Sequence, residues 1–279
     1  MPGIWEGSGC RREADEETEG RRAMENEPLI DLKNRNAVVT GGSRGVGRAT
    51  ALLLARAGAS VGIGFRSRED EARKTVGELE SMGVHAWAQA GDLGNPRDAE
   101  ALFRRADQEF QGLDIFVGNH GIWPPESVPV QEMTEEQWRE TIRANLDSIF
   151  YTTREASRRI RDGGHIVLVS STAAQRGEAF HVDYAASKGA IVSMVKGLCV
   201  ELAPRDVTVN CVAPGWIDTE MAEPVFGGGR KEAIAETIPL GRIPPARDIA
   251  GPILFLCSPL ARHVTGEVLN VNGGAVLVG

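Results

Sequence analysis

From Asn34 onward the chain alternates two kinds of apolar pattern. Short continuous runs predict strands over 36–40 (NAVVT), 60–65 (SVGIGF), 84–90, 113–119 (LDIFVGN), 165–171 (HIVLVSS), 207–214 (VTVNCVAP) and 266–274. Longer stretches with apolar residues three and four apart predict helices over 48–59, 68–83, 96–110, 134–160 and 184–203. Gly58 and Gly83 close the first two helices, and Thr134 with Glu136 and Gln137 offers cap chemistry to the fourth. Strands that are apolar throughout are buried on both faces, and regular alternation with helices means βαβ units. The pattern therefore predicts an α/β fold, a doubly wound parallel sheet of about seven strands with helices on both faces. No repeat or linker interrupts 34–279, so one domain is expected there.

Residues 1–33 lack that pattern. CRREADEETEGRRAMENE is charged, mixed in sign and poor in branched aliphatics, so it cannot offset its ordering entropy by burial. It is read as a flexible extension, with Met24 as an alternative start. The net charge of −8 gives no electrostatic case for nucleic acid or an anionic membrane. No apolar run reaches membrane-helix length, no signal-peptide core opens the chain, and the four cysteines are scattered without metal-binding spacing. A reduced, cytoplasmic protein without a metal is expected.

Between the first strand and the first helix stands TGGSRGVG, Thr40 to Gly47, with Gly41, Gly45 and Gly47 spaced GxxxGxG. Such a turn lets backbone approach a pyrophosphate while the next helix aims its N–H groups at it; a glycine-rich turn without a ligand is the plainer reading. The second strand ends at Phe65 and is followed by Arg66, where NAD enzymes commonly carry an acid for the ribose 2′-OH. With Arg44 inside the turn, two guanidiniums suit a 2′-phosphate, so NADP(H) is expected over NAD(H); otherwise both are solvated surface arginines.

DYAASKGA places Tyr184 and Lys188 one helical turn apart on the same face. A nearby ammonium would lower the phenol pKa from its ordinary value of about 10, making its proton exchangeable near neutral pH. Ser171 ends the fifth strand, at the sheet edge where open α/β folds bind ligands.

Together these motifs resemble the short-chain dehydrogenase/reductase family over about 34–279. The resemblance implies a Rossmann-type fold and a nicotinamide dinucleotide held by Gly41, Ser43, Arg44, Gly45, Val46 and Gly47 of the turn, by Arg66, and by Asp92 and Leu93 of GDL. It extends this site to Asn119 and Gly121 of GNHG, Pro214, Gly215, Ile217 and Thr219 after the sixth strand, and Tyr184 and Lys188. It implies Asn145, Ser171, Tyr184 and Lys188 as catalytic: Tyr184 donates the proton, Ser171 polarises the carbonyl, Lys188 holds the ribose and lowers the tyrosine pKa, and Asn145 supports a water-linked relay. One motif departs. His120 stands where the family usually has a small residue, either as a tolerated variant or as a residue that touches substrate or tunes proton transfer.

The last third is most like 3-oxoacyl-(acyl carrier protein) reductases, a subgroup that commonly forms tetramers; a homotetramer, or a homodimer, is expected. Docking of a carrier protein would need a basic patch, for which Arg158, Arg159, Arg161 and Arg205 are candidates, against Asp162. A lid is expected over 216–240, with FGGGR permitting motion, and Trp123, Gln175, His181 and Trp216 are expected around the substrate. The activities that follow are NADP(H)-dependent reduction of a carbonyl, such as a 3-oxoacyl thioester, or oxidation of a sugar, steroid or other secondary alcohol at the same site. A catalytically silent dinucleotide-binding protein is the reading from another class.

Overall fold

The structure is a computed structural model, and it describes residues 29–277. The chain divides into Met1–Asp31 and Leu32–Gly279, and the sheet and helices belong to the second unit. Most of the charged extension expected over 1–33 lies outside the described residues.

Seven strands form one sheet: β1 (Asn36–Thr40), β2 (Ser60–Phe65), β3 (Ala86–Ala90), β4 (Leu113–Gly118), β5 (Ile160–Val169), β6 (Thr208–Pro214) and β7 (Val268–Val271). Their order is β3-β2-β1-β4-β5-β6-β7, and every pairing is parallel. Parallel neighbours need crossovers, and helices supply them. Helices α1 (Gly45–Arg56), α2 (Glu69–Ser81) and α10 (Ala246–Leu256) pack together on one face. Helices α3 (Pro96–Glu109), α4 (Glu135–Ile142), α5 (Ser148–Arg159) and α7 (Val182–Leu202) pack together on the other. Short helices α6 (Ala173–Arg176), α8 (Glu223–Phe226) and α9 (Arg230–Glu236) lie in the connections. The core sits between the sheet and these layers, with Phe103 against Phe116 at 5.5 Å and Ile149, Ile166, Leu168 and Ile191 fully buried.

Three differences from the sequence pattern have local causes. The helix expected over 134–160 is capped as foreseen, Thr134 accepting from Gln137 N at 3.2 Å, but it is interrupted by one π-helical turn, Arg143–Asp147. That extra residue turns Asn145 inward, and such turns are frequent at functional sites. Strand β5 starts at Ile160 rather than His165, because Ile160 already pairs with Leu113 and Arg161 reaches Gln111 O at 2.8 Å. Helix α10 falls outside the expected helices, and its Gly251 and Pro252 are poor helix formers. Its Ile249, Ala250, Ile253 and Leu256 are buried, and that burial outweighs the propensity.

The sheet order reverses direction between β1 and β4, whose carboxyl ends therefore diverge and leave a crevice. Thr40 bridges its floor: its hydroxyl donates to Val117 O at 3.2 Å and accepts from Asn119 N at 3.0 Å. The opposite, amino edge is closed by charge. Buried Asp114 accepts from Arg35 at 3.0 Å and from Asn36 N at 2.9 Å. The four arginines considered for carrier-protein docking lie at that amino edge and are already paired. Arg158 and Arg159 hold Glu155, Arg161 faces Asp114, and Arg205 holds Asp162. They form no basic patch beside the crevice.

Candidate active site

A cavity of about 1130 Å³ opens at the carboxyl edge of the sheet. At one end Gly41, Ser43, Arg44, Gly45 and Val46 line it from the β1–α1 turn. Gly41 and Gly45 have φ of +66° and +54°, a conformation that favours glycine. A Cβ on Gly47 would clash with the Gly41 carbonyl and lie 2.6 Å from Asn119 Nδ2, so this glycine packs α1 under the turn rather than facing the cavity. Arg44, at the N-cap of α1, makes no side-chain cap, so no such side chain satisfies the first N–H groups of that helix. An uncapped helix N-terminus behind a left-handed glycine turn fits a diphosphate, by geometry and by dipole.

The far end of this groove is basic. Arg66 and Arg68 line it where β2 ends, and Arg44 and Arg68 both face Glu220. Asp92 and Leu93 line the neighbouring wall. The Asp92 carboxylate is held by Arg143 at 2.7 Å and by Gly94 N at 3.1 Å, and its pKa is lowered; partial burial opposes these bonds, and the Arg143 and Arg66 charges add to them. Pro214, Gly215, Ile217 and Thr219 descend from β6 on the other side. These residues fit an adenine dinucleotide along the crevice.

The remaining end carries the polar cluster. Tyr184 and Ser171 line the cavity together, and Ser171 Oγ accepts from Ala173 N at 3.1 Å. Ser170 Oγ donates to Lys188 O at 2.8 Å, which ties α7 to the end of β5. Lys188 Nζ lies 5.9 Å from the Tyr184 ring centroid and donates to Val169 O at 3.0 Å. Asn145 grips the Ile122 backbone, accepting from Ile122 N at 2.7 Å and donating to Ile122 O at 2.9 Å, and also donates to Ser187 Oγ at 3.2 Å. A Cβ on Gly121 would meet Asn145 Oδ1 at 3.0 Å and Lys188 Nζ at 3.3 Å, so a side chain there would wedge the two apart.

The electrostatics correct one expectation. The Tyr184 pKa is not lowered but pushed up to about 12, because burial penalises phenolate more than the Ser171 hydrogen bond relieves it, and Glu178 adds to the rise. Lys188 is itself pushed down to about 8 by burial. Two substrate-side expectations also change. Gln175 turns away and donates to Asn270 Oδ1 at 2.6 Å, and His181 lies buried behind Trp123. Trp123 and Trp216 do line the cavity. Sequence reasoning missed Glu178, Arg68, Arg143 and Glu220. Arg68 alone had a signal, as the second arginine of the RSR following β2.

His120 lines the same cavity, its Nδ1 2.7 Å from Thr40 Oγ1 and its Nε2 buried without a hydrogen-bond partner. Burial, reinforced by the Lys188 charge, pushes its pKa down to about 3, so the ring is neutral at any working pH. His165, bonded to Thr208 at 2.9 Å, is likewise pushed down to about 4, mainly by burial. An unfolded histidine takes up its proton below about pH 6.5. Since these two stay neutral when folded, their contribution is intact above that pH and is lost as pH falls. Urea denaturation between pH 6.5 and 4.5 should therefore show stability dropping by about 1.4 kcal/mol per pH unit for each histidine. A flat profile would overturn the buried neutral assignment.

Among the described residues no group of histidine, cysteine, aspartate and glutamate could hold a metal ion, and no helix is long and apolar enough to cross a membrane. A family model described as enoyl-(acyl carrier protein) reductase matches residues 41–276. The chain is 37% identical over 251 residues to the 3-oxoacyl-(acyl-carrier-protein) reductase FabG of Vibrio cholerae, covering 89% of this chain and 100% of that one. A dehydrogenase/reductase of Sinorhizobium meliloti superposes with a TM-score of 0.83 at 37% identity, over 89% of this chain and 97% of its own. A short-chain dehydrogenase of Burkholderia cenocepacia in complex with NADP superposes with a TM-score of 0.82 at 34% identity, over 88% and 98%. With this fold, this glycine turn and this Ser171–Tyr184–Lys188 cluster, the chain belongs to the short-chain dehydrogenase/reductase family of nicotinamide-dependent oxidoreductases.

Proposed function

We propose that the protein reduces a carbonyl with NADPH. The observation that carries this reading is the Tyr184 hydroxyl, which lines the cavity beside Ser171 with Lys188 Nζ 5.9 Å from its ring. A phenol so placed can give its proton to a carbonyl oxygen as hydride reaches the carbon. Bound NADPH would supply the hydride that the carbonyl carbon gains. The Tyr184 proton goes to the oxygen and is replaced from solvent, while the Ser171 hydroxyl orients that oxygen. Lys188, anchored on Val169 O, is positioned to hold cofactor hydroxyls. Asn145 acts through the Ile122 backbone, fixing the segment that carries Gly121 and Trp123.

The preference for NADPH rests on Arg44 in the β1–α1 turn and on Arg66 and Arg68 after β2, where Phe65 and not an acid closes the strand. Of the acids at this end of the groove, Asp92 is paired with Arg143, and Glu220 faces Arg44 and Arg68. The NADP-bound relative supports the same choice. We expect kcat/KM for NADPH to exceed that for NADH by about a hundredfold, and Arg44→Ala with Arg66→Ala to cut the ratio at least about tenfold. Equal use of the two cofactors by the unaltered protein would refute the preference.

The name of the Vibrio cholerae relative supports a 3-oxoacyl thioester as one substrate to test, with alcohols of sugars and steroids in the opposite direction. A carrier protein would have to dock without the arginines at the amino edge. A homotetramer or homodimer is supported by exposed Phe150 and Val200 on α5 and α7, and light scattering tests it. A cytoplasmic location completes the reading.

A further inference from the structure

The substrate end of the cavity is walled by rings that hold one another in place. Trp123 stacks on His181 with centroids 4.8 Å and planes 18° apart. Trp216 meets Trp123 edge-on at 5.8 Å and 78°, and Phe226 continues from Trp216 at 5.9 Å. The Trp123 indole is fixed at its other end as well, Nε1 donating to Glu178 Oε1 at 3.2 Å. Glu178 is near enough to Tyr184 for its charge to raise the phenol pKa. The indole is therefore tied within electrostatic reach of the proton donor, beside the position where a carbonyl would sit. His181 backs it as a buried ring.

A wall so braced costs little to order when a ligand arrives. A flexible acyl chain laid against it gains apolar contact but loses its own rotor freedom. A planar ring gains the same contact without that loss, and adds the stacked or edge-to-face preference of aromatic pairs. The Glu178 carboxylate on this wall disfavours a substrate with its own negative charge beside the carbonyl.

We propose that the substrate is an uncharged carbonyl attached to or fused within a planar ring, an aryl ketone or a quinone, whose ring packs against Trp123 and Trp216. This rests on the reductase reading above. The step balances: the carbonyl gains a hydride at carbon and a proton at oxygen, and NADPH is oxidised by two electrons.

The test uses the full chain with 1-tetralone, 9,10-phenanthrenequinone and the N-acetylcysteamine thioester of acetoacetate. NADPH consumption gives kcat/KM for each, and quenching of tryptophan fluorescence by 1-tetralone without added cofactor gives a dissociation constant. The ring carbonyls should exceed the thioester by about tenfold or more in kcat/KM. Trp123→Leu should shrink that ratio by about tenfold, chiefly through the KM of the ring substrates, and weaken 1-tetralone binding in parallel. Trp123→Phe, which keeps a ring, should restore much of both, separating stacking from general damage. A thioester that outruns both ring carbonyls, or an unchanged ratio in Trp123→Leu, overturns the ring proposal and leaves the reductase reading standing. If no carbonyl is reduced and Tyr184→Phe matches the unaltered protein, the reductase reading falls and the ring proposal with it.

Discussion

Tyr184→Phe should lower kcat for carbonyl reduction about a thousandfold while leaving the dissociation constant for NADPH within roughly a factor of three. The substitution deletes one oxygen. The ring still fills the same half-buried space and still lies beside Lys188 Nζ, which keeps its bond to Val169 O. What goes is the proton donor that lines the cavity beside Ser171. Positioned acids are typically worth about a hundredfold to ten-thousandfold in rate. The loss should sit near the middle of that range, because Ser171 remains to polarise the carbonyl. Stopped-flow transfer from NADPH separates this from slow product release, since a chemical block removes the fast phase altogether. Full activity in the phenylalanine variant would mean that solvent or another side chain supplies the proton.

What the sequence made legible follows from how local each signal is. Tyr184 and Lys188 stand four residues apart, so any helix brings them to one face, and the GxxxGxG turn is likewise a matter of short-range geometry. The meeting of these two groups across the sheet follows from strand order, which alternating strands and helices also indicate. The direction of the Tyr184 pKa was not legible, because it depends on burial in the fold and on the charge of Glu178. The inward turn of Asn145 was hidden because a π-helical insertion leaves the helical pattern almost unchanged on either side. Glu178 carries no motif; its role appears only when Trp123 and Tyr184 are seen on either side of it. His181 and Gln175 flank the catalytic helix in sequence, but one supports the wall from behind and the other faces β7.

Gly47→Ala should abolish cofactor binding, raising the NADPH dissociation constant by about a hundredfold or more, and should also lower the thermal midpoint. A methyl group at this position would run into the Gly41 carbonyl and reach within 2.6 Å of Asn119 Nδ2. The carbonyl is backbone and cannot swing aside. The amide is engaged too, because Asn119 Nδ2 donates to Thr40 O at 3.1 Å. Relief must therefore come from lifting α1 away from the turn or from tilting the Gly41 peptide, whose φ of +66° already requires glycine. Either movement displaces the uncapped N–H groups at the start of α1 from the groove they face. The comparison that isolates this effect is Gly77→Ala on α2, where an added Cβ meets nothing within 4 Å. Within a helix that second change should stabilise by up to about 1 kcal/mol, since alanine orders at lower entropic cost than glycine. Calorimetric titration with NADPH, alongside thermal melts of both variants, reads the two effects separately. If Gly47→Ala binds NADPH as tightly as the unaltered protein, the glycine turn is not the diphosphate cradle.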